Sequence, residues 1–65
     1  MKMKEDPQAV YEEVCRVIGR AVVMLMESKQ VVNNNTINLM LQAHADQADD
    51  AYLKKIYRVA RNVMG

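Results

Sequence analysis

The chain offers chemistry one thiol, Cys15, and one imidazole, His44. A cysteine nucleophile activated by a histidine base would need both side chains within hydrogen-bond reach and a third group to orient the base. The two residues stand in different segments, and nothing in the chain has CxxC or mixed Cys/His ligand spacing. No catalytic pair is expected. His44 falls on an apolar stripe, where a structural or interface role fits, and the near-neutral titration of ordinary imidazoles also admits a pH-sensing one. Asp46, Asp49 and Asp50 form the densest carboxylate group. They lack the alternating oxygen ligands, the glycine and the terminal glutamate of a calcium loop, so helix capping is the expected use. No metal, no cofactor and no small-molecule substrate are expected. With neither an acid/base pair nor a phosphate loop, the chain does not read as an enzyme.

A different kind of chemistry is offered by Lys54, Arg58 and Arg61, at i, i+4 and i+7, with Lys55 beside them. A cationic helical face can meet phosphates or an acidic protein surface, or can simply be solvated opposite an apolar stripe. No aromatic or asparagine accompanies it to read bases, so sequence-specific DNA recognition has little support.

Three helices must position these residues. Asp6 before Pro7 is a good helix start, because the carboxylate can accept from first-turn amides and proline tolerates lacking one. Val10, Val14, Val17, Ala21 and Met24 then recur at helical spacing, with a second apolar row through Tyr11, Ile18, Val22 and Leu25. Glu12 and Arg16 are spaced as an i,i+4 pair. So wide a stripe exceeds what one small chain readily covers, and Ile18, Val22, Val23, Leu25 and Met26 are the candidate dimer or partner interface. The first helix should fade near Ser28 to Gln30, where the three asparagines Asn33 to Asn35 punctuate the chain. Asn35, or alternatively Asn34, is the expected N-cap of a short second helix carrying Ile37, Met40, Leu41 and His44. A third follows the aspartates, with Leu53, Ile56, Ala60, Val63 and Met64 as its stripe. The expected class is all-α, with helices over about 6–28, 35–45 and 50–64. Residues 1–65 form a single small helical domain, with 1–5 as a flexible N-terminus.

Composition narrows the class further. Hydrophobic residues make up 51% of the 65, too many for a disordered tail. There are six Met and neither Phe nor Trp, so the core must be aliphatic and adaptable, which suits helix-on-helix packing. At a net charge of +1, nothing global draws the chain to nucleic acid or to a membrane. The lone cysteine suits a reducing compartment. With no signal-peptide pattern and no span of roughly 20 apolar residues, a cytoplasmic, non-membrane protein is expected.

The stretch VIGRAVVMLMESKQVVNNNTINLML, Val17 to Leu41, resembles the AriR/YmgB-type family of small biofilm and acid-resistance regulators, which are also described as two-component-system connectors. Glu12 and Glu13, the Ile18-Gly19-x-Ala21-Val22 core, Leu25-Met26, and the asparagines before an Ile/Leu-rich helix carry the resemblance. It continues more loosely through the third helix. The chain is shorter at both ends than that pattern, so contacts made there are not carried over. The resemblance implies a helical homodimer acting without catalysis, linked to an Rcs-type phosphorelay, biofilm formation and acid survival. It thus implies self-association, a signalling protein as partner and DNA as a possible one. The residues alone leave open an interaction module, of toxin-antitoxin-like character, whose apolar surface belongs to a different protein.

Overall fold

The Asp6 carboxylate accepts a hydrogen bond from the Gln8 amide (3.1 Å), and Pro7 occupies the first helical position of α1, Pro7–Glu27. This is the expected start. The computed structural model describes residues 6–65 and adds α2, Asn34–Gln47, and α3, Ala51–Met64. The described residues contain no strand. The flexible segment expected at residues 1–5 lies outside the described residues.

α1 ends in an unusual way. The Gln30 amide donates to the Leu25 carbonyl and the Lys29 amide to the Met26 carbonyl, at 3.0 and 3.1 Å. That paired closure normally places glycine at the left-handed position. Here Lys29 occupies it, with φ 59°. The helix ends at the expected place, and the asparagines that follow play no part in stopping it.

Their role lies at the start of α2, two residues earlier than the expected Asn35 and one earlier than the alternative Asn34. Asn33, not Asn35, is the cap: its side chain accepts from the Thr36 amide (2.9 Å), while the Thr36 hydroxyl accepts from the Asn33 amide (3.0 Å). The hydroxyl also donates to the Val31 carbonyl at 2.8 Å, fixing the preceding loop. Asn34 donates to the Met64 carbonyl (3.3 Å), which ties the start of α2 to the end of α3. Asn35 is exposed. Asparagine competes well here because its short side chain reaches nearby backbone groups, and Thr36 selects Asn33 by standing three residues on. At α3 the cap is Asp50, whose carboxylate accepts from the Tyr52 amide at 2.9 Å.

The three helices close on one core. α1 contributes Val14, Val17, Ala21 and Leu25, α2 Ile37 and Leu41, and α3 Ile56, Tyr57 and Ala60. Leu41 and Ile56 are the largest fully enclosed side chains; burying each contributes about 1.5–3 kcal/mol. Three expectations need correction. Leu25 is only 2% exposed and belongs to the chain's own core, so it is not available to a partner. The α3 stripe is turned toward Tyr57, which leaves Val63 66% exposed. On the polar side of α1, Arg16 pairs with Glu13 (3.2 Å) rather than with Glu12.

Candidate functional site

α3 separates two open grooves of opposite character. The first lies against α1. Pro7, Val10, Tyr11, Val14, Cys15 and Ile18 form one wall, and Lys55, Val59 and Val63 the other, enclosing about 490 Å³. Tyr11 is 69% exposed. Beyond the groove, half-buried Val22 and exposed Val23 and Met26 continue the apolar strip along α1. Gly19 sits amid these residues, with nothing within 4 Å of where a Cβ would stand. Of the expected interface residues, Ile18, Val22, Val23 and Met26 therefore reach a shared surface or its margin, and Leu25 does not. Tyr11, Cys15 and Gly19 join it. Their spacing from Ile18 and Val22 was readable, but the exposure that makes them a surface was not.

The second groove, about 630 Å³, runs between α2 and α3 and is lined by Lys54, Arg58 and Arg61, with Asn38 and Asp46 facing them from α2. Asn62, one turn beyond Arg58 on α3, lines it too, so an asparagine does accompany the basic face, contrary to expectation. Arg61 is half-buried, and its Nε–H donates to Asn38 Oδ1 at 2.8 Å. That bond fixes the plane of the guanidinium and leaves its other donors available. Lys54 and Arg58 are exposed, and neither makes an ion pair with another described residue. Three of the four basic residues singled out from the sequence thus share one groove. Lys55 does not: one residue further along a helix turns a side chain by about 100°, and it lines the apolar groove instead.

Cys15 and His44 line different clefts. His44 meets Arg20, Gln47, Leu53 and Tyr57 around a small cleft of about 180 Å³. Its ring stands edge-on to that of Tyr57, with centroids 6.1 Å apart and planes at 68°. Its Nδ1 is buried without a hydrogen-bond partner. Among the described residues, no three His, Cys, Asp or Glu side chains gather to hold a metal ion. No described helix is long and apolar enough to cross a membrane.

Residues 1–63 match the family described as proteins of unknown function, DUF2767. The chain belongs to that family. No curated protein matches the DUF2767 chain, and no solved structure does. The family description carries no activity or partner, so for the DUF2767 chain the two grooves bear the weight of any functional reading.

Proposed function

We propose that this protein is a non-enzymatic regulator, a helical homodimer that modulates two-component signalling of the Rcs type in biofilm formation and acid or stress response. The observation that carries the dimer is the uncovered apolar strip of α1 centred on Gly19. The strip is self-complementary. A two-fold axis between Ile18 and Gly19, with the helices antiparallel, sets Tyr11 opposite Met26 of the partner subunit and Cys15 opposite Val22 of the partner subunit. Ile18 then meets Gly19 of the partner subunit, large against small, which lets the helices approach closely. Residue pairs that exchange in this way are what an isologous contact requires. The α3 residues Val59 and Val63 extend the surface beyond one helix, toward the roughly 800 Å² per partner of a standard interface.

The signalling assignment rests on the resemblance to the AriR/YmgB type. It is tested by expressing the protein, and a Gly19→Gln variant, beside a transcriptional reporter of an Rcs-type phosphorelay. The proposal expects the wild type to shift reporter output and the variant to leave it unchanged. Equal reporter output with and without the wild-type protein would remove the pathway assignment.

A second reading, a small DNA-associated modulator of transcription, draws on the convergence of Lys54, Arg58 and Arg61 at one groove. The position of Lys55 in the other groove and of Asp46 on the α2 wall weaken it. Phosphate contacts release counterions, so DNA affinity that falls steeply with added salt would favour this reading.

A further inference from the structure

We infer that the groove between α2 and α3 is a docking site for a short carboxylate-rich segment of a partner protein. The inference rests on the reading of the chain as a binding protein and gives that partner its chemistry. Three cations face a single side-chain carboxylate, Asp46, across the groove, with Gly65 at its end. Lys54 and Arg58 have no ion-pair partner among the described residues, which leave this charge uncompensated. Arg61 is set in place by Asn38 (2.8 Å), and a guanidinium held through Nε presents its outer N–H groups to a planar, two-oxygen acceptor.

The spacing fits an extended chain. Lys54 and Arg58, four residues apart, are separated by about 6 Å along the helix axis. Alternate side chains of an extended segment stand about 6.6 Å apart on one side. Four or so residues of such a segment cover the distance from Lys54 to Arg61, about 10 Å at 1.5 Å per residue.

Shape and charge favour this occupant over duplex DNA. The cations lie along a concavity between two helices, where a narrow peptide can enter and a wide convex rod meets only the rim. Asp49 and Asp50, both exposed at the start of α3, add carboxylates beside the Lys54 end. A rigid polyanion would have to lie across them, whereas a short segment can sit toward Arg58 and Arg61.

The test is fluorescence anisotropy with three labelled probes: a peptide of about ten residues with glutamates at alternate positions, the same peptide with glutamines, and a duplex of about 20 base pairs. Saturable binding of the glutamate peptide is expected, weakening with salt. Affinity should fall at least about tenfold in a Lys54→Gln, Arg58→Gln variant and be negligible for the glutamine peptide. Both substituted side chains are exposed, and an unchanged circular dichroism spectrum and melting curve will confirm that the variant folds. Equal binding of the two peptides, no loss in the variant, or a duplex bound more tightly than the glutamate peptide would each overturn the assignment. A wild-type chain that binds the glutamate peptide as a monomer would support the groove while removing the homodimer.

Discussion

The two faces of α3 differ in what they leave unfinished. On the α1 side, Val59 and Val63 border a groove whose other wall is almost wholly apolar, and what is missing there is cover from water. On the α2 side, Lys54, Arg58 and Arg61 border a polar groove, and what is missing there is countercharge. A single helix thus borders two kinds of groove because its side chains divide by angle around a buried row of Ile56, Tyr57 and Ala60. Apolar surface is satisfied without direction and favours a broad, permanent contact. Charge-assisted hydrogen bonds are directional and the attraction between exposed charges is sensitive to salt, which favours selective and reversible capture. The proposed self-association on one face and partner capture on the other would draw on that contrast.

The change with the largest expected effect breaks both faces at once. Ile56→Ala removes a fully enclosed side chain and should destabilise the fold by about 2–5 kcal/mol, measured by chemical denaturation. Both dimerisation and peptide binding should be lost with it. Retention of either at temperatures where the variant has melted would separate that face from the three-helix core.

Gly19→Gln sharpens the comparison by acting on one face only. The position is open in the single chain, and replacing a mid-helix glycine should raise the stability of the monomer by up to about 1 kcal/mol. In an antiparallel dimer the same side chain meets Ile18 of the partner subunit, so the dimer should dissociate while binding of the acidic peptide persists.

A smaller effect concerns the platform that holds α2 against α3. Asn33→Ala should cost about 0.5–2 kcal/mol, and Asn35→Ala should leave the melting curve nearly unchanged. Similar losses in the two variants would count against the capping geometry.

The smallest change is expected at the end of α1. Lys29 holds a left-handed backbone angle that costs a side-chain-bearing residue about 1–2 kcal/mol. Part of that is returned by the entropy glycine loses on folding, so Lys29→Gly should raise stability by under about 1 kcal/mol. Thermal melts of the two proteins would reveal the difference.

The helices were legible in the sequence because their stripes and caps obey local rules. Asp6 and the aspartates before α3 marked two starts, and the wide stripe of α1 marked the element with most to cover. What depended on three-dimensional rotation was not legible. Leu25 and Met26 are neighbours in an apolar run, yet one is enclosed and the other 63% exposed. Lys54 and Lys55 are adjacent cations that end on opposite sides of α3. Tyr57 entered the core because α3 turned farther than its aliphatic residues indicate, bringing the ring to His44. The cap shifted from Asn35 to Asn33 because Thr36 supplies the reciprocal bond, a pairing that three consecutive asparagines obscure.

The self-association of the chain is tested most directly by sedimentation equilibrium of the wild type beside Gly19→Gln, at concentrations on the order of 10–100 μM. The homodimer requires a wild-type mass near twice the 7.4 kDa of the chain and a variant mass near that of a single chain. A wild type that stays at the single-chain mass throughout, or a variant that associates as strongly as the wild type, would contradict it.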